Sequence, residues 1–173
     1  MVKAIIFDRD GVLSKLVDGH APCSWSDFTL YPDAKRALAL TKRLNYKQFV
    51  ITNQPDVMDK KLPLIDLQRM NEVLRRSLDI DGVRICLDRK SDRYKPKTGM
   101  VDELIDEWYI DVSKSFFVGD RWRDIVCGSR AGLTTILVRN AETQNDWPEE
   151  YNHIQPNFIV SDVLSACKLI TEL

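Results

Sequence analysis

The chain has 173 residues, 44% of them apolar, and its 26 acidic and 25 basic side chains leave a formal net charge of −1. That length suits a single domain, 1–173, with a sizeable core, and the near-neutral balance removes any overall field that would favour nucleic acid or an anionic membrane. No run approaches the ~18 consecutive apolar residues of a membrane span, and the first residues lack the basic, apolar, small-residue order of a secretion signal. A soluble, cytoplasmic protein with no membrane partner is expected. Cys23, Cys86, Cys127 and Cys167 are scattered, without a CxxC pair or an adjoining histidine, and read as reduced thiols.

In chain order, residues 2–7 form a short, nearly continuous apolar strand, as in a sheet covered on both faces. A polar, turn-rich stretch, 14–32, follows. Ala34, Ala37, Leu38, Thr41 and Leu44 then recur at helical spacing behind Pro32 and Asp33. Residues 48–52 read as a second strand opening onto Asn53, Gln54 and Pro55. Leu67, Met70, Leu74 and Leu78 mark a second helix. Val83, Ile85 and Leu87 alternate in a third strand, and Val101, Leu104, Ile105 and Trp108 trace a third helix. Residues 115–118 form a fourth strand that runs into Gly119 and Asp120, and the short helix after it stops near Gly132. A fifth strand spans 134–138, the polar stretch 140–155 is expected to be flexible, and a sixth strand at 158–160 precedes a last helix from about Asp162. Alternating strands and helices predict an α/β fold: three layers, a Rossmann-like parallel sheet with helices on both faces, binding its ligand beyond the carboxyl ends of the strands.

Polar groups gather at those ends. Asp8 and Asp10, two apart, share a side if the strand continues past Phe7. Two carboxylates ~4 Å apart repel by about 4 kcal/mol at an effective dielectric near 20, so a positive group or a proton must offset them. Taken alone, each residue has a plain reading: a turn cap beside Gly11 for the aspartates, an ordinary strand end for Thr52, a solvated charge for Lys95, a helix cap for Asp120. Parallel topology brings all of them to one edge.

DRDG at 8–11, ITNQ at 51–54, KPKTGM at 95–100 and VGDRWRD at 118–124 resemble, in order and spacing, the four motifs of the haloacid dehalogenase (HAD) superfamily of phosphohydrolases. Their wording is similar to the capless branch that contains heptose bisphosphate and histidinol phosphatases. The resemblance implies Asp8 as nucleophile forming an aspartyl phosphate, and Asp10 as general acid and base with a pKa near the working pH. It implies Mg²⁺ held by Asp8, the Asp10 carbonyl, Asp120 and Asp124, and a phosphoryl group bound by Thr52, the Asn53 backbone and Lys95. The zinc-bearing members carry a Cys and His rich loop before the lysine. Here Cys86 remains, but Asp88, Ser91 and Arg93 occupy the other positions, so no zinc is expected. Tyr94 stands where the branch often has arginine.

Neither interval between motifs leaves room for a cap domain, so loops must select the substrate. Trp25, Gln54, Arg93 and Tyr94, within or beside the segments 14–32, 55–61 and 89–94, and Arg121 are the candidate selectors, with His20 and Phe28 in the same loop as Trp25; taken by themselves, His20 and His153 read as polar surface residues. The expected activity is a Mg²⁺-dependent phosphomonoesterase acting on a small phosphorylated metabolite such as a sugar phosphate, in a monomer or weak homodimer. Histidinol phosphate is an alternative substrate, and a polynucleotide end, disfavoured by the charge balance, another. Outside enzymes, the alternatives are a receiver-like phosphoacceptor, with Asp88 the sole candidate after the third strand, and an inactive binding module.

Overall fold

The computed structural model describes residues 1–141 and 146–173. Six strands, β1 (Ala4–Phe7), β2 (Lys47–Asn53), β3 (Gly82–Cys86), β4 (Phe116–Gly119), β5 (Thr134–Val138) and β6 (Phe158–Val160), alternate with five helices. These are α1 (Ala34–Lys42), α2 (Leu64–Ser77), α3 (Gly99–Trp108), α4 (Trp122–Arg130) and α5 (Val163–Glu172). All strands are parallel, in the order β3-β2-β1-β4-β5-β6. The sheet is covered on both sides because its strands carry apolar residues on both sides. Ile5, Phe7, Val50 and Val118 pack against α1, α5 and the end of α2. Ala4, Ile6, Ile51 and Phe117 pack against α3 and Cys127 of α4. Each fully buried side chain of this size contributes roughly 1.5–3 kcal/mol.

The expected elements are present with shifted ends. α1 stops at Lys42, and Asn45, at φ 62°, turns the chain into β2, leaving Leu44 exposed. β2 continues through Thr52 to Asn53, β3 stops at Cys86 and β4 starts at Phe116. Asp162 caps α5 by accepting from the Ser165 N–H at 2.7 Å. The stretch 14–32 holds a short 3-10 turn, Trp25–Asp27, and the mutually bonded pair Val17 and His20. The flexibility expected of 140–155 falls partly on residues 142–145, outside the described residues. Residues Glu149–Tyr151 form another 3-10 turn. No helix among the described residues is long and apolar enough to cross a membrane.

β1 lies between β2 and β4, so the chain builds outward to β3, crosses back, and builds outward again to β6. The crevice at such a reversal is open at the carboxyl ends of the strands. Register then fixes its contents: Phe7 is level with Val50 on one side and Val118 on the other, so Asp8 leaves the sheet beside the ends of β2 and β4.

Candidate active site

Asp8, Lys95, Asp124 and Asp120 meet at this crevice, all buried. Lys95 Nζ donates to Asp8 Oδ1 at 2.6 Å and lies 2.7 Å from Asp124 Oδ1 and 3.3 Å from the Ile51 carbonyl, so its three protons are all engaged. The Asn53 side chain fixes the lysine's backbone, accepting from the Lys95 N–H at 3.2 Å and donating to its carbonyl at 3.1 Å. Asp124 also accepts from the Arg121 N–H at 3.0 Å, closing the first turn of α4. Asp120 is different: it is 1% exposed, and among the described residues neither carboxylate oxygen has a hydrogen-bond partner, the nearest cation being Arg121 Nε at 3.8 Å.

Burial pushes Asp8 up to about 7, opposed by Lys95 and reinforced by the charges of Asp124 and Asp10. Asp120 is raised well above the carboxylate range, by burial first and then by Asp8 and Asp124, against Arg121 and Lys95. Burial works against the charge of Lys95, but Asp124 and Asp8 outweigh it and hold the amine protonated above its ordinary range. One lysine among three buried carboxylates leaves negative charge uncompensated, which suits a hard cation with oxygen ligands. Oxygens of Asp8, Asp120 and Asp124 all lie within 4.8 Å of one another, and among the described residues they are the sole set of three or more metal-ligating side chains so placed. Cys86 and Asp88 form no second set: the Cys86 thiol sits 3.4 Å from the Asp88 carbonyl, and the exposed Asp88 carboxylate accepts from the Lys90 N–H.

Gly11 makes room for this cluster. It has φ 88°, and a Cβ there would lie 2.2 Å from Asp120 Oδ2. Gly11→Ala is therefore expected to displace Asp120 and to cost about 1–3 kcal/mol in stability, read as a lowered urea midpoint.

The chain turns just past Asp8, the Leu13 and Ser14 N–H groups both donating to the Arg9 carbonyl, and Asp10 reaches the same cleft as Asp8 from that turn. Its carboxylate accepts from Arg9 Nε (2.9 Å) and Nη2 (2.8 Å), Ser14 Oγ (2.8 Å) and Gln54 Nε2 (2.8 Å). The repulsion anticipated between the two aspartates is thus answered by separate cations, Lys95 for Asp8 and Arg9 for Asp10. Sequence reasoning passed over Arg9, which is fully buried, donates to Asn71 of α2 at 3.2 Å and lies under the Phe28 ring. An arginine between two aspartates at an apolar strand end was the available signal, since a charge there needs a partner.

A cleft of about 360 Å³ opens above, lined by Asp8, Asp10, Thr52, Asn53 and Lys95, by Tyr94 and Arg121 among the candidate selectors, and also by His20, Arg89 and Arg123. Three other candidate selectors lie elsewhere. Trp25 stacks on Phe28 (ring centroids 6.4 Å apart) and its N–H donates to Asp66, so it packs its own loop. Arg93 pairs with Glu103 of α3 at 2.7 Å and lies outside the lining of this cleft. Gln54 is buried beneath the cleft, where its amide donates to both Asp10 Oδ2 and Thr52 Oγ1 (2.9 Å). His20, in contrast, belongs to the cleft wall, because its loop is held over the site by Arg121 Nη2 donating to the Gly19 carbonyl at 2.7 Å.

Residues 93–166 match the family model of HAD-hydrolase-like proteins. In sheet order, family match and motif order, the chain is similar to HAD-like hydrolases. Within that class it is similar to heptose bisphosphate phosphatases. It is 29% identical over 184 residues to the D-glycero-D-manno-heptose-1,7-bisphosphate 7-phosphatase of Chlorobaculum tepidum, covering 95% of this chain and 92% of that one. It is 28% identical over 189 residues to the D-glycero-beta-D-manno-heptose-1,7-bisphosphate 7-phosphatase of Pasteurella multocida, covering 100% and 99%. Its fold superposes with a TM-score of 0.82 on the D,D-heptose 1,7-bisphosphate phosphatase of B. bronchiseptica, solved with magnesium and phosphate, at 22% identity and 99% coverage of both chains.

Proposed function

We propose that the protein is a Mg²⁺-dependent phosphomonoesterase that hydrolyses a small phosphorylated sugar, of the heptose bisphosphate kind named for its relatives, through a phosphoenzyme on Asp8. The observation that carries this reading is the buried Asp120 carboxylate without a donor, beside Asp8 and Asp124. Asp8, Asp120 and Asp124 would hold the ion, which when bound neutralises carboxylates and phosphoryl oxygens that otherwise repel.

Asp8 Oδ1 is taken by Lys95, while Oδ2 has no protein donor among the described residues and is the attacking atom. Its bond to phosphorus forms as the ester P–O bond breaks, and the leaving oxygen takes the proton of Asp10. Water then attacks phosphorus, gives its proton to Asp10, and releases orthophosphate and free Asp8. The Thr52 hydroxyl accepts from Gln54, which leaves its own proton to point at a phosphoryl oxygen. Four donors surround the Asp10 carboxylate. When it is protonated, Ser14 is the partner that can adapt, since a hydroxyl both donates and accepts.

The test is phosphate release from a panel of sugar phosphates with and without Mg²⁺. Absence of release from every member, with wild type and Asp8→Asn alike, removes the reading. A phosphoenzyme that turns over within seconds supports the enzyme over a receiver-like switch.

Gln54 positions both the acid and the threonine. Gln54→Leu is expected to slow hydrolysis of sugar phosphates, whose leaving oxygen needs a proton, by about 10²-fold. It should slow p-nitrophenyl phosphate, whose leaving group needs none, far less. Equal losses on both substrates contradict the assignment.

The site also predicts a pH dependence of stability. Asp8 and Asp120 bind protons more tightly folded than unfolded, so their contribution is fully present below about pH 4, and that of Asp8 is lost as pH rises through about 7. In a chelator, the melting temperature is expected to fall between about pH 5 and about pH 7.5, and millimolar Mg²⁺ to remove most of that fall. A flat profile in the chelator counts against the uncompensated cluster.

A further inference from the structure

The cations of the cleft are not equally engaged. Lys95 is saturated by Asp8, Asp124 and the Ile51 carbonyl. Arg89 is paired with both oxygens of Asp59, at 2.9 and 2.7 Å. Arg121 holds the Gly19 carbonyl and lies near Asp120. Arg123 lines the same cleft, yet among the described residues its guanidinium has no ion pair and no hydrogen bond, although Asp56 also lines the cleft.

Arg123 is nevertheless held in place. Its guanidinium lies over the Trp122 ring at 5.0 Å, and Trp122 stacks on Tyr151 with ring centroids 5.0 Å apart and planes 19° apart. A stacked guanidinium keeps its in-plane donors free and forfeits little conformational entropy when an anion arrives. It sits in the first turn of α4, where the helix dipole adds to its positive potential. The cleft, at about 360 Å³, falls within the usual range of small-ligand sites of ~300–1,000 Å³ and has space beyond the phosphoryl group over Asp8.

We infer that Arg123 is the residue that recognises a second anionic group on the substrate, distal to the phosphoryl group that is cleaved, and so sets the preference for esters carrying two anionic groups over those carrying one. This rests on the phosphomonoesterase reading for its kinetics, though not for its binding. The assignment gives specificity to the start of α4, whereas the segment before Lys95 contributes Tyr94 and the Asp59-paired Arg89 to the cleft and turns Arg93 away to Glu103.

The experiment compares fructose 1,6-bisphosphate with fructose 6-phosphate, in turnover with Mg²⁺ and, for the Asp8→Asn protein, in calorimetric titration. Wild type is expected to favour the bisphosphate. Arg123→Gln should reduce the ratio of the two kcat/KM values by about tenfold or more, chiefly through KM, and Arg123→Lys should restore part of it. In the Asp8→Asn background the same substitution should reduce the binding ratio to a similar extent. A bisphosphate preference that is absent, or that survives Arg123→Gln unchanged, overturns the inference. If neither ester is hydrolysed but the binding preference depends on Arg123, the inference stands and the hydrolytic reading falls. If binding shows no such dependence, the inference falls too.

Discussion

Asp8→Asn is expected to lower phosphate release by at least about 10⁴-fold while leaving the protein folded. The amide keeps an oxygen where Lys95 Nζ now donates to Asp8 Oδ1, so the local geometry has no reason to collapse. What disappears is the nucleophile. The same change removes a charge that burial disfavours, since Asp8 is pushed up to about 7 mainly by desolvation. The variant is therefore expected to melt at a higher temperature than wild type at pH 7.5 in a chelator, and to lose much of the stabilisation by Mg²⁺. Phosphate release and melting curves, each with and without Mg²⁺, check the two halves independently. Near-normal turnover would transfer the nucleophilic role to another residue.

Lys95→Met is expected to have the largest effect on stability. Among the described residues the ammonium is the sole full positive charge in contact with Asp8 and Asp124, and its loss leaves buried carboxylates facing one another. Breaking a buried ion pair from one side costs about 3–5 kcal/mol, and here two pairs share the lysine. The expected result in chelator is a urea midpoint lowered by that order, with phosphate release lost even when Mg²⁺ restores part of the stability. Because Asn53 holds the Lys95 backbone through two hydrogen bonds, the chain path should survive the substitution. An unchanged midpoint would mean that the cluster is not charged as described.

The fold was legible because its signals are local. Short apolar runs alternating with amphipathic stretches specify strands covered on both faces, and Phe158 to Val160 could be bounded to the residue. Ends were less legible where one residue's backbone decides them, as at Asn45. In the site, Asp8, Thr52, Lys95 and Asp120 could be gathered in advance because parallel topology delivers strand ends to one edge. Side-chain direction could not. The alternation rule did bring Asp8 and Asp10 to one cleft, but no periodicity announces a turn that begins with its own ion pair, Arg9 holding Asp10. Trp25 and Arg93 looked available in sequence because their partners, Phe28 and Glu103, are set by loop packing and by contact between separate elements. Gln54 looked like a selector because it follows a strand end, although its short tether folds it under the floor.

The bond from Arg121 to the Gly19 carbonyl has a mechanical consequence. Arg121 adjoins Asp120 in the chain and begins the helix that carries Arg123 and Asp124. A ligand that prises the overhanging segment outward must therefore pull on the same strut that seats two of the three clustered acids. Admission and chemistry share one anchor, so lengthening the segment around Gly19 should alter turnover as well as which molecules are accepted.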